Sequence, residues 1–271
     1  MSAIAIWGQR VAAHRAQMTS ARLAAGIAAS EEPVSPLFRA HPRRTGDREI
    51  DRLARELQPS MTLLDVGAGA GRFALPLALG CQHVTAVEPA AVMRESLRQL
   101  AAEAGIHNVT VIDRRWEEAE VPVADVVLSA HVIYQIEDIR SFVLKLAAHA
   151  RMKVLMPTYV RPPMSRYAPF WLPVHGEVKH EVPGARELVQ VLWELDLYPD
   201  VAMFTPEPFR ALRTWEGALE TLRRRLYVRP HTAQDARLQQ AMHELLVQTT
   251  DGYVVRHAPP GRLALISWQP S

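Results

Sequence analysis

Three glycines at alternate positions, Gly67, Gly69 and Gly71, stand in the run Asp65-Val-Gly-Ala-Gly-Ala-Gly-Arg72, between an apolar segment and an amphipathic one. Glycines so spaced let the backbone turn sharply at the end of a strand and leave no side chains between it and a ligand. The amides that open the following helix then face that ligand with positive partial charge. The alternative is a tight turn whose small residues serve helix packing. A dinucleotide fingerprint needs glycine where Arg72 stands, and a phosphate-binding loop needs a Gly-Lys-Ser/Thr ending that is missing here. A second segment, Val84-Thr-Ala-Val-Glu88-Pro89, ends an apolar run in a carboxylate. Such a carboxylate can accept hydrogen bonds from two neighbouring hydroxyls. Taken alone, Glu88 can be an acid opening a helix; its place after a strand, downstream of the glycine loop, favours the ligand role.

The elements that must position these residues follow from the apolar pattern. Ser2 to about Ala29 is Ala-rich and free of proline, which favours a helix. Glu31 to Thr45 reads as a loop broken by Pro33, Pro36 and Pro42, and Asp47 as the cap of a helix through Ile50, Leu53, Ala54 and Leu57. Strands are expected at Thr62–Val66, His83–Val87, Val109–Ile112, Asp125–Ser129 and Lys153–Met156, with helices at Phe73–Leu79, Ala90–Ala104 and Ile139–His149. Strands alternating with helices argue for a parallel sheet covered on both faces. Thr158 to Gly184, rich in proline and aromatics, reads as an ordered loop or lid. Ala185–Leu195 reads as a helix, Val201–Phe204 as a strand and Pro206–Val247 as largely helical. Tyr253–His257 and Arg262–Trp268 are expected to close the chain as an antiparallel hairpin.

The D-x-G-x-G-x-G pattern from Asp65 to Gly71 resembles the first motif of class I S-adenosylmethionine-dependent methyltransferases. Glu88, Asp113 and the stretch Asp125-Val-Val-Leu-Ser129-Ala-His131-Val-Ile-Tyr134 resemble the ends of that family's second, third and fourth strands. The motifs cover roughly Met61 to Tyr159. The resemblance implies a Rossmann-like α/β fold, a mostly parallel seven-stranded sheet with helices on both faces. An N-terminal helical cap (1–45), a cofactor-binding core (46–205), a helical insert before the last strand (206–250) and closing strands (251–271) would then form one domain. It implies S-adenosyl-L-methionine as cofactor, held by Asp65, Gly67, Ala68, Gly69, Gly71, Glu88, Pro89, Asp113, Arg114 and Ser129. Asp65 would support the methionine amino end, Glu88 the ribose and Asp113 the adenine amino group, with Trp116 either covering the adenine or packing.

A sulfonium already activates its methyl group, so the protein's task is mainly to align a nucleophile and exclude water. A base is needed only when the nucleophile holds its proton until attack. His131 is the first candidate, just beyond the fourth strand, with Tyr134 beside it to orient a substrate; either residue can instead simply pack. Tyr159, Arg161, Tyr167, Trp171 and His175 are the candidate acceptor-binding residues, while Trp193 and Trp215 are expected in the core. The spacing of His175, His180 and Glu181 matches no strong metal template, so no metal is expected. The expected acceptor is a small-molecule oxygen, nitrogen or carbon nucleophile. The Asn-Pro-Pro-Tyr-type sequence of enzymes acting on amino groups of bases or glutamine is missing. The rivals are an RNA methyltransferase and a non-catalytic cofactor-binding or scaffold protein of the same fold.

Composition agrees with a globular protein: 271 residues, 48% hydrophobic and 22% charged, with a net charge of only +2. That balance disfavours nucleic acid as a partner unless charge is concentrated locally, as in Arg210, Arg213, Arg223, Arg224, Arg225 and Arg229. The lone Cys81 has no disulfide partner, and neither a signal peptide nor a membrane span is recognisable, so a cytoplasmic protein is expected. The oligomeric state is left open.

Overall fold

A computed structural model describes residues 1–28, 41–206 and 209–270. Most of the loop expected at 31–45, the end of the first helix at Ala29 and Glu207 lie outside these residues. Helix α1 (Ala3–Ala24) begins where the Ser2 hydroxyl accepts from the Ala5 amide, and it buries Trp7 and Val11. The Trp7 indole N–H donates to Ile136 O at 2.8 Å, fixing α1 to the loop after the fourth strand. Helix α2 (Arg48–Ala54) is capped by Asp47, which accepts from the amides of Glu49 and Ile50.

The chain then alternates: β1 (Thr62–Val66), α3 (Ala74–Ala78), β2 (His83–Val87), α4 (Ala91–Glu103), β3 (Val109–Ile112), β4 (Ala124–Leu128), α5 (Ile139–Ala148) and β5 (Ala150–Tyr159). Helix α6 (Trp171–His175), α7 (Ala185–Glu194) and β6 (Asp200–Met203) follow, then α8 (Trp215–Leu226), α9 (Ala233–Leu245), β7 (Leu246–Thr249), β8 (Gly252–Val255) and β9 (Leu263–Trp268). Seven strands form one sheet in the order β3-β2-β1-β4-β5-β9-β6, parallel except for β9. The sheet is covered on both faces, as expected. Leu64 and Val66 face a core shared with α1, α5 and α7, whereas Leu63 faces one shared with α2, α3 and α4. The strand order reverses between β1 and β4, and ligands of such sheets bind beyond the carboxyl ends of the strands at that point.

Four expectations are corrected. The closing hairpin does not form: β8 pairs with β7 in a separate two-stranded sheet, and β9 enters the main sheet between β5 and β6. The reason lies in Leu-Ala-Leu-Ile-Ser-Trp, whose six residues are all buried and therefore need cover on both faces. The segment 206–247 is less helical than composition suggested, because 246 and 247 belong to β7 and Leu212 bridges Tyr253. Thr158–Gly184 is no lid: a 3-10 helix over Pro163–Phe170 and α6 bury Tyr167, Phe170 and Trp171 against α8 and α9 as a third core. Trp193 is 58% exposed, whereas Trp215 packs edge-on against Tyr253 as expected.

Helices α8 and α9 are tied by Arg223, whose guanidinium donates twice to the Asp235 carboxylate at 2.7 and 2.6 Å. Asp235 is 2% exposed; its carboxylate also accepts from the His231 amide and the Gln239 side chain, and its own amide donates to the Thr232 hydroxyl at the helix start. Its carboxyl is held below the usual range, chiefly by Arg223, against the opposing effect of burial. Asp235→Ala is expected to cost about 2 kcal/mol by stranding the Arg223 charge. The depressed value means that this contribution is present at neutral pH and fades as acid protonates the carboxyl. Denaturant titrations at neutral and acid pH check both; equal stability of variant and parent at neutral pH refutes the assignment.

Candidate functional site

Beyond Val66 the chain leaves β1 through Gly67, Gly69 and Gly71, with φ of 78°, 57° and 84°. The amides of Gly67 and Ala68 both donate to Val87 O, at 2.9 and 3.1 Å, which binds the loop to the end of β2. The three glycines do different work. A Cβ on Gly67 would sit 2.5 Å from Val132 Cγ2, and one on Gly71 would sit 2.8 Å from Leu75 Cγ. One on Gly69 would meet nothing within 4 Å. Gly67 and Gly71 therefore serve close packing, and Gly69 faces open space.

Glu88 stands one residue past β2 and is 7% exposed. Its Oε2 accepts from the Gly69 amide at 2.9 Å and its Oε1 from the Ala90 amide at 2.8 Å. The carboxylate thus sits directly across the loop at the one open glycine. Arg94 braces this corner, donating to Glu88 O at 3.1 Å and Pro89 O at 2.7 Å and pairing with Asp113 Oδ1 at 2.7 Å. Asp113 is otherwise solvent-facing, and Arg114 donates to its carbonyl. Trp116 is buried in the core, its N–H toward Phe142 O at 3.4 Å.

Asp65 lies level with Ala86 of β2 and Leu128 of β4, and it is 1% exposed. Burial, with repulsion from Glu88 added, pushes its carboxyl up to about 7 against the helping hydrogen bond of the Ala74 amide. Asp65 Oδ2 has no hydrogen-bond partner, and neither have Ser129 Oγ, Thr158 Oγ1 and His131 Nδ1. All four buried atoms belong to the carboxyl ends of β1, β4 and β5 or the loop just beyond. Buried polar groups are nearly always paired, so a cluster of unpaired ones marks a place for a polar ligand. No group of His, Cys, Asp and Glu suited to a metal ion occurs among the described residues.

His131 sits beyond β4 with φ of 61°, its amide donating to Pro157 O at 3.1 Å. Its Nε2 is 2.7 Å from Glu49 Oε2, and Arg72 Nη2 is 2.9 Å from Glu49 Oε1. Burial would raise the Glu49 carboxyl, but His131 and Arg72 together hold it below its ordinary value. The His131 ring lies between those of Phe73 and Tyr159, at 5.8 and 5.1 Å between centroids. Tyr134 is nearby, but its hydroxyl accepts from the Tyr159 amide at 2.9 Å and burial pushes its pKa up. Glu49 was not among the expected residues. The only sequence signal was an acid in the first turn behind the Asp47 cap, which many surface helices share.

Residues 63–152 match the family model described as a methyltransferase domain. With the sheet order above, that decides the core. Its fold is that of the class I methyltransferases. A putative methyltransferase from Bacillus halodurans C-125 superposes with a TM-score of 0.59 at 15% identity, covering 82% of this chain and 98% of that one. Two curated relatives extend the match by sequence. The ribosomal RNA small subunit methyltransferase G of Mycolicibacterium smegmatis is 37% identical over 89 residues, covering 28% of this chain and 37% of that protein. The ubiquinone biosynthesis O-methyltransferase of Rickettsia conorii is 28% identical over 106 residues, covering 39% and 36%. The chain thus spans well under half the length of the curated relatives it matches.

Around the methyltransferase domain, the expected acceptor residues divide. Tyr159, at the end of β5, is brought against His131. Arg161 turns outward and pairs with Glu181 at 2.6 Å. Trp171 is fully buried and stacks on His175 at 4.2 Å, and His175 Nε2 bonds Leu226 O at 2.9 Å. Trp171 and His175 thus pack among the accessory helices; aromatic residues fill cores as readily as they line clefts. Tyr167 borders a cavity of about 250 Å³ shared with Arg166, Phe209, Arg210 and Tyr253.

Proposed function

We propose that the protein transfers the methyl group of S-adenosylmethionine to an oxygen, nitrogen or carbon nucleophile of a small molecule. The observation that carries this reading is the loop left open at Gly69 beside Glu88, with Asp65 Oδ2 buried and unpaired behind it. The nucleoside, when bound, supplies a methyl group already activated by its sulfonium. Glu88 fits the ribose, because each of its oxygens accepts one amide hydrogen bond and retains a lone pair for a hydroxyl. Asp65 and Ser129 fit the amino-acid end, since an ammonium group answers a buried carboxylate that has no counter-ion. In this reading Pro89, Asp113 and Arg114 would meet the adenine, and Tyr159 and His131 the acceptor.

A small acceptor is favoured by the near-neutral charge and by similarity to the ubiquinone biosynthesis O-methyltransferase. Similarity to the ribosomal RNA methyltransferase favours a second reading, with RNA as acceptor. A salt-dependent mobility shift of labelled RNA supports the second; its absence at low ionic strength supports the first. No helix among the described residues is long and apolar enough to cross a membrane, and the buried, unpaired Cys81 suits a reducing cytoplasm.

Calorimetry with S-adenosylhomocysteine tests the cofactor. Binding is expected for the parent protein, and Glu88→Ala is expected to weaken it by roughly 1.5–3 kcal/mol through loss of charged hydrogen bonds. Unchanged affinity removes Glu88 from the site, and no heat at all removes the proposed activity.

A further inference from the structure

The geometry points to Glu49 as a positioning residue that makes His131 a general base, and so to a hydroxyl that still holds its proton as the acceptor. The inference rests on the methyl-transfer reading above and adds a residue and an acceptor class to it.

A carboxylate only accepts hydrogen bonds, so the 2.7 Å contact to Glu49 Oε2 places a proton on His131 Nε2. In the neutral ring Nδ1 then carries a bare lone pair, and that atom is buried without a partner. The ring is held in this pose from three sides. Its amide is tied to Pro157 O, its faces meet Phe73 and Tyr159, and its far nitrogen is clamped by Glu49.

Glu49 is itself built in. It lies 82 residues from His131, in the first turn of α2, where Asp47 caps the helix and Arg72 of the glycine loop takes the other carboxylate oxygen. Arg72 also lies 3.8 Å from Asp47, and Arg44 pairs with Asp47 at 2.9 Å. Two tyrosines lie close to this cluster: Tyr134 has its hydroxyl engaged by the Tyr159 amide, and Tyr159 lays its ring against that of His131. A carboxylate that orients an imidazole and leaves the opposite nitrogen free is the arrangement of a base fixed in one tautomer.

The chemistry then selects the acceptor. A carboxylate, a thiolate or a neutral amine offers a lone pair without help, whereas an alcohol or weakly acidic phenol must lose its proton as it attacks. The acceptor oxygen forms the new bond to the methyl carbon, and the pair of the old carbon–sulfur bond stays on sulfur, which leaves as a neutral thioether. The hydroxyl proton passes to His131 Nδ1, and the imidazolium later returns it to water.

Nitrogen-15 NMR of the ligand-free protein reads the tautomer without any turnover. We expect His131 to be protonated on Nε2 in the parent and mixed between nitrogens in Glu49→Ala, with Glu49→Gln as a second variant should the alanine protein fail to fold. Turnover then separates a base from a mere clamp. Glu49→Ala should lower kcat about 100-fold on phenol but only a few-fold on 4-nitrophenol, which is largely ionised at pH 8. The KM for S-adenosylmethionine should not change. An Nδ1-protonated parent, a tautomer indifferent to Glu49, or equal losses on the two phenols overturns the inference. Calorimetry with S-adenosylhomocysteine keeps the two readings apart. Parent protein that does not bind it sinks methyl transfer, while binding together with any of those three results sinks only the role of Glu49.

Discussion

Asp65→Asn is expected to stabilise the ligand-free fold at pH 8 and to cripple binding of S-adenosylhomocysteine. The carboxyl is raised to about 7, first by burial and then by Glu88, so the folded protein prefers it protonated. A folded-state value above the unfolded one gives a contribution that is complete below about pH 4. It is lost as pH rises through 7. An amide of the same shape never ionises and escapes that loss. The rise from the ordinary carboxylate value to about 7 sets an upper bound near 4 kcal/mol, and roughly 2–4 kcal/mol at pH 8 corresponds to about 5–10 °C in Tm. At pH 4 parent and variant should melt together. Binding should move the other way, weaker by about 2 kcal/mol, because the ligand's ammonium loses a charged acceptor. Calorimetry and melting at the two pH values check both signs. A variant with parental Tm at pH 8 and parental affinity would show that Asp65 is neither strained nor in contact with ligand.

The glycine loop yields the second prediction as a pair. Gly71→Ala places a Cβ 2.8 Å from Leu75 Cγ and 3.0 Å from Leu97 Cγ, in a residue with φ of 84°. Left-handed backbone costs an L-residue about 1–2 kcal/mol, and overpacking a core adds about 1–3 kcal/mol. A loss of roughly 3 kcal/mol in stability follows. Gly69→Ala shares the backbone penalty, but its methyl meets no protein atom within 4 Å. Its stability should fall by only about 1 kcal/mol, while affinity for S-adenosylhomocysteine should fall by at least about 2 kcal/mol as the methyl fills the ligand's space. Urea titrations and calorimetry on both variants separate the two. If Gly69→Ala binds as the parent does, the nucleoside lies elsewhere.

The alternation of β1 to β5 with their helices was legible because parallel strands buried on both faces read as unbroken apolar runs. The corner formed by Gly67, Gly69, Gly71 and Glu88 was legible for a different reason: its parts lie at the ends of neighbouring strands, so chain order predicts spatial order. Glu49 escaped because its partner is 82 residues away and its local context is an ordinary capped turn. The same limit applies to Trp171, whose burial depends on helices α8 and α9 arriving more than 40 residues later. Trp193 shows the converse, since a large apolar side chain on an amphipathic helix can still face solvent. The hairpin expected at the end failed because Tyr253–Val255 found a nearer partner in β7, while β9 was claimed by strands far back in the chain.

That late strand has a consequence for biogenesis. β6 touches the sheet only through β9, so while 263–268 remain in the ribosomal exit tunnel β6 has no ladder to join and the flank of β5 stays bare. The glycine corner on β1 and β2 can be assembled during translation, yet the opposite flank must wait until 263–268 emerge, in a state whose unpaired strand edge invites chaperones or a neighbouring nascent chain.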